Sequence, residues 1–188
     1  MDYVLGFYIV LFALIGFITF FVSFMYIMSK KFSPLMMKVM STLHAAIFGY
    51  ESALIDLIGP RGYKTHVFPK IVEIIEKLKS EDPIIEDLFD AKDAKTAMDK
   101  WMNVLKKVNV TKEGEVVEIE KDVYEIKVPD CSMAHPIHDM IGGQKGICPM
   151  GLIVAAASSI ADEGKIPEID YSKFYPEGTS TKLRMVKE

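Results

Sequence analysis

The sequence predicts an α+β fold: one N-terminal transmembrane helix, then a helical segment and an antiparallel sheet of two hairpins around a buried helix. Three observations predict it. Residues 3–28 carry no charge and are dominated by Phe, Ile, Leu, Val and Met. Apolar residues then recur at helical spacing as far as Val108. Beyond that point the period changes to that of β-strands, and the strand-forming stretches are divided by a helix opening at Pro149.

The first element is expected to cross a bilayer. A hydrocarbon core about 30 Å thick takes roughly 20 apolar residues as helix, and Tyr3, Tyr8 and Tyr26 near the two ends suit the headgroup level. Asp2 ahead of the run, the length of the run and the lack of a small-residue cleavage site set it apart from a signal peptide. Lys30, Lys31 and Lys38 follow the run. The positive-inside rule then expects a single-pass protein with its N-terminus outside and its C-terminal domain in the cytoplasm. Residues 1–31 are therefore expected to be a transmembrane anchor and 32–188 a cytoplasmic α+β domain.

Within that domain, Met36, Met40, Leu43, Ile47, Tyr50, Leu54 and Leu57 follow one another at spacings of three and four. They predict one buried helix face, with Ser41, Glu51 and Asp56 on other faces. Gly59-Pro60-Arg61-Gly62 stops that helix. A shorter helix carries Ile71, Ile74, Ile75 and Leu78 up to Asp82-Pro83, and residues 91–108 form another with Trp101 on its apolar side. Val116, Val117 and Ile119, then Val123, Tyr124, Ile126 and Val128, predict a hairpin turning at Lys121-Asp122. Pro149 at the start and Gly164 past the end bracket a helix whose middle is small and apolar nearly all round, hence buried. A last hairpin is expected between residues 166–175 and 180–187.

Reactive side chains concentrate in one segment, where Cys131, His135, His138 and Cys148 have the spacing C-x3-H-x2-H-x9-C. Thiolate and imidazole are ligands that zinc, iron and copper share, and two of each would complete a tetrahedral structural zinc, with zinc or iron the metal expected. The same residues also read as core thiols and turn-lining histidines, or, for Cys148, as a reactive thiol at a helix N-terminus. His44 and His66 stand alone and read as surface or satisfied core histidines. A net charge of −4 and the lack of a basic stripe exclude a nucleic-acid surface. No nucleophile–base pair or paired carboxylates can be assembled, which argues against an enzyme.

Several segments together resemble the 4-vinyl reductase-type domain, related in fold to the TRAPP and haem-nitric-oxide-binding domains. A helix containing Ala46-Ile47-Phe48-Gly49-Tyr50-Glu51 ends at Gly59; a hairpin ends in Cys131; Cys148-Pro149-Met150-Gly151 opens a buried helix; and Gly164 precedes a closing hairpin over 169–186. The resemblance covers roughly residues 42–187. It implies an accessory or sensory module binding a small hydrophobic or tetrapyrrole-like ligand. Where that family carries a further cysteine pair in the closing hairpin, this chain has Tyr171, Tyr175, Glu177-Gly178 and Thr181. Only Cys131 and Cys148 carry over. The partners expected are the membrane, other proteins or a second copy through the anchor, and a hydrophobic small molecule; the alternative role is an accessory subunit of a larger membrane complex.

Overall fold

The computed structural model describes residues 2–135, 137–141, 143, 145–162 and 164–187, with side chains at all of these except 2–7, 9–11, 13, 25 and 27–33. The chain divides into two compact units, Met1–Met40 and Ser41–Glu188. Helix α1 runs over Asp2–Gly62. Gly59, at φ 72° and ψ 166°, leaves helical geometry and kinks it. A π-helical turn, Tyr63–Val67, leads into α2, Phe68–Glu81. Helix α3 covers Pro83–Phe89 and α4 covers Ala94–Lys107.

Among the described residues no helix is long and apolar enough to cross a membrane. This overturns the transmembrane helix in the expected fold, and with it the single-pass topology and cytoplasmic assignment drawn from that helix. The uncharged run is not an element by itself. It is the first part of a 61-residue helix that also carries Lys38, Glu51, Asp56 and Arg61. The side chains of Tyr3, Lys30 and Lys31, on which the anchor and its orientation partly rested, lie outside the described residues.

The α+β character is as expected. Strands β1 (Glu115–Glu120) and β2 (Val123–Val128) form the first hairpin, with Asp122 at φ 61° in its turn. Short helix α5 spans Ile137–Ile141 and α6 spans Pro149–Ala161. Three more strands follow: β3, Lys165–Ile169; β4, Lys173–Tyr175; and β5, Gly178–Lys187. The sheet order is β1-β2-β5-β3, all antiparallel, with β4 also on β5. The closing hairpin thus has two short strands on one side, β4 against 178–180 and β3 against 183–187.

Alternation along β2 and β5 sets the inner face of the sheet. Tyr124, Ile126 and Val128 stand opposite Leu183, Thr181 and Thr179, and all six are buried. Helix α6 covers this face. Its Gly151 lies so close to Thr181 that an added Cβ would stand 3.0 Å from the hydroxyl oxygen. Ala155, Ala156 and Ala157 are fully buried. Their small side chains let α4 pack on the other side through Ala97 and, near Phe89, the half-buried Trp101.

An extra helix, α3, begins where the sequence places only a stop. Asp82 accepts hydrogen bonds from the N–H groups of Ile84 (2.8 Å) and Ile85 (3.4 Å), with Pro83 in the first turn. The same Asp-Pro pair that ends α2 therefore caps its successor.

Candidate functional site

Residues 44–55 of α1 bury a face that the sequence does not favour. His44, Phe48, Glu51 and Ile55, spaced four, three and four apart, are buried. Leu43, Ile47 (49 % exposed), Tyr50 (70 % exposed) and Leu57 of the expected core stripe face outward instead. Leu54 is half-buried. The outward stripe is the more apolar, so hydrophobic periodicity selects it. Only tertiary contact reveals that the stripe bearing His44 and Glu51 is the one covered.

What covers it is α5, the segment leading into α6, and β4. Phe48 meets Phe174 edge-on, with ring centroids 5.1 Å apart. Gly146 passes directly over the Phe48 ring, so a Cβ there would collide with it. Ile147 donates its backbone N–H to Glu51 Oε1 at 3.0 Å. Cys148 donates its own N–H to Ser172 Oγ at 2.7 Å, and the Ser172 and Thr181 hydroxyls share a 2.6 Å hydrogen bond. These contacts fix the entry of α6 against β5.

Two ionisable groups lie in this interface without a full set of partners. Glu51 is 3 % exposed, and its Oε2 has no hydrogen-bond partner. Burial raises its pKa to about 7, against the pull of the Ile147 N–H. His44 is 2 % exposed, and neither ring nitrogen has a partner. Burial, and next the neighbouring His138, lower its pKa to about 4.

A cleft of about 170 Å³ is walled by residues that include Ile55, Tyr63, Lys64, Ile147, Asp170 and Tyr171, and Ile147 is the residue whose N–H binds Glu51. Tyr63 and Lys64 come from the π-helical turn, a rare geometry that often marks functional positions. The pKa values of Tyr63 and Tyr171 are raised first by burial and then by nearby charge that includes Glu51, so the carboxylate lies within electrostatic reach of both walls.

A larger cavity of about 500 Å³ lies elsewhere, on the outer side of the sheet. Several of its polar groups are paired: Ser180 Oγ donates to Glu125 at 2.6 Å, and Lys127 stands 3.8 Å from Glu125 and 3.4 Å from Glu115. The smaller cleft shares Ile147 with the unpartnered buried carboxylate, which marks it as the candidate site.

The four residues singled out in the sequence separate into two environments. His135 is exposed, with Nδ1 3.4 Å from the Asp139 carboxylate. His138 is buried beside His44. Cys131 and Cys148 are buried free thiols; burial raises the pKa of Cys131 to about 11 and raises that of Cys148. Among the described residues, no group of three or more His, Cys, Asp or Glu is arranged to hold a metal ion. The two site residues that sequence reasoning passes over, His44 and Glu51, share one signal. They lie seven residues apart, on a stripe with Phe48 and Ile55.

No protein-family model matches the chain, and no curated protein does. Among solved structures the chain is similar to a trafficking protein particle complex subunit 3 from Naegleria fowleri covalently bound to palmitic acid. The identity is 14 % and the TM-score 0.36, over 80 % of this chain and 97 % of that one. It is also similar to the phenol-responsive sensory domain of the transcription activator PoxR with phenol, at 16 % identity and a TM-score of 0.36, over 75 % of this chain and 74 % of the other. Scores of this size carry no argument about function.

Proposed function

We propose that the chain is a small-ligand-binding domain of sensory or accessory type, with its site in the cleft lined by Ile55 and Ile147, the neighbours of Glu51. One observation carries the reading: Ile147, whose N–H binds the buried Glu51 carboxylate, lines a mostly apolar cleft, and the other oxygen of that carboxylate has no partner. A buried acceptor left unsatisfied costs about 1–3 kcal/mol, and a ligand that donates a hydrogen bond would remove that cost. The ligand class is a compact, largely apolar molecule carrying one hydroxyl or ammonium donor, with apolar walls for its body and Glu51 for its donor.

The test is a thermal-shift screen of small apolar alcohols and amines, followed by calorimetry on any compound that stabilises the chain. Glu51→Gln exchanges a charge-assisted bond for a neutral one and is expected to weaken binding about tenfold. Ile55→Trp fills the cleft and is expected to abolish it. A ligand that binds both variants as tightly as the wild type lies elsewhere, and the assignment fails.

A second reading, that the domain is a subunit of a larger complex, is favoured by the outward stripe Leu43, Ile47, Tyr50 and Leu57. The mass of the purified chain under native conditions tests it. A particle no larger than one chain would remove that reading.

A further inference from the structure

Two turns of α1 before Glu51, and independent of what binds near it, two imidazoles lie side by side in the interior. His138, on α5, is 2 % exposed, and its Nδ1 lies 2.9 Å from the carbonyl oxygen of Tyr175 and 3.1 Å from that of Gly178. Both partners only accept, so Nδ1 carries the proton and donates it. The other nitrogen, Nε2, is thereby a lone-pair donor, buried and without a partner. An N–H tied to a backbone carbonyl is how a metal-ligating histidine is usually oriented.

The His44 ring stands 5.7 Å from the His138 ring, centroid to centroid, at an interplanar angle of 39°. It is equally buried, and both of its nitrogens lack partners. Three buried ring nitrogens thus go unmatched in one place. Phe174 closes the wall with its ring edge-on to His138 at 5.2 Å. With metal–nitrogen bonds of about 2.0–2.1 Å, and each nitrogen roughly 1 Å from its ring centre, two imidazoles on one ion have centroids from about 5 Å apart at a tetrahedral angle to about 6 Å in line. The observed separation lies in that range.

No third His, Cys, Asp or Glu joins the pair among the described residues. Two neutral imidazoles alone suit copper(I), a closed-shell ion that is stable with as few as two ligands and accepts imidazole. Zinc would need two further donors in an apolar interior. We propose that His44 and His138 form a two-histidine binding site for copper(I), to which His135, Cys131 and Cys148 do not contribute.

The test is an anaerobic titration of the whole chain with copper(I) in competition with a chromophoric copper(I) chelator. The expected result is one copper per chain, with affinity lowered at least about tenfold in His44→Phe and in His138→Asn. The second variant keeps a side-chain N–H for the Tyr175 and Gly178 carbonyls and removes Nε2. His135→Phe, Cys131→Ser and Cys148→Ser are expected to bind as the wild type does. Failure of the wild type to compete overturns the proposal. So does unchanged affinity in His44→Phe, or a loss confined to the cysteine variants. Should either histidine variant fail to fold by circular dichroism, X-ray absorption of the wild-type copper complex decides. Two nitrogen neighbours without sulfur support the site, and a sulfur shell overturns it. Loss of copper binding leaves ligand binding at Glu51 untouched, so the two readings fail separately.

Discussion

Gly146 shows how closely the 145–148 segment lies on α1. It has no side chain because the Phe48 ring occupies the space where one would start. Phe48 cannot easily yield, since it is held edge-on by Phe174. Gly146→Ala is therefore expected to destabilise the domain by about 1–3 kcal/mol, the usual cost of overpacking a filled interior. Urea unfolding followed by Trp101 fluorescence measures it. A variant as stable as the wild type would show that the loop does not press on Phe48. The Gly178 position is stricter still, because an added Cβ would strike the Val128 carbonyl and the Pro129 backbone, which cannot rotate away.

Helix α1 presents two competing faces between residues 43 and 57, and neighbouring positions test which is inside. Ile47 is half-exposed, so Ile47→Lys is expected to change stability by no more than about 0.5 kcal/mol. Phe48, one residue on, is 2 % exposed, and Phe48→Ala is expected to cost about 3–5 kcal/mol through the cavity it leaves. Denaturant midpoints of the two variants decide between the faces. If Ile47→Lys were the costly one, the apolar stripe would be the packed face after all.

The domain as a whole carries two buried groups whose linkages to pH oppose each other. The pKa of Glu51 rises from 4.5 in the unfolded chain to about 7, so the folded state holds the proton more tightly. Its contribution is present below pH 4.5 and lost as pH rises towards 7. The pKa of His44 falls from 6.5 to about 4, so the unfolded chain takes the proton first. Its contribution is present above pH 6.5 and lost as pH falls towards 4. Between pH 4.5 and 6.5 the two slopes cancel, and either alone is worth about 3 kcal/mol over that window, at roughly 1.4 kcal/mol per unit of pH. With a chelator present, the wild type is expected to be nearly flat across the window. Glu51→Gln should lose stability as pH falls, and His44→Phe should lose it as pH rises. Unfolding curves at pH 4.5, 5.5 and 6.5 check both signs, and parallel behaviour of the three proteins would refute the linkage.

Local chemistry was enough to place much of the fold. The strand-forming runs 116–119 and 123–128 formed the hairpin expected of them, with Asp122 in its turn. Pro149 opened α6, and the small residues 155–157 lie in the interior. Each of these depends on propensity and period, which a stretch of chain carries within itself. Three features depended on contacts between distant segments. The inward face of α1 was set by segments more than ninety residues away, His138 of α5 beside His44, Ile147 at Glu51 and Phe174 of β4 at Phe48, rather than by the apolarity of its stripes. The separation of His138 from His135 followed from the β4–β5 turn, whose carbonyls capture one imidazole and leave the other at the surface. The apolar run at the N-terminus belongs to a 61-residue helix, and among the described residues no helix has the apolar length of a membrane span. Periodicity shows that a face can be buried; only packing determines which face is covered and which polar groups are buried with it.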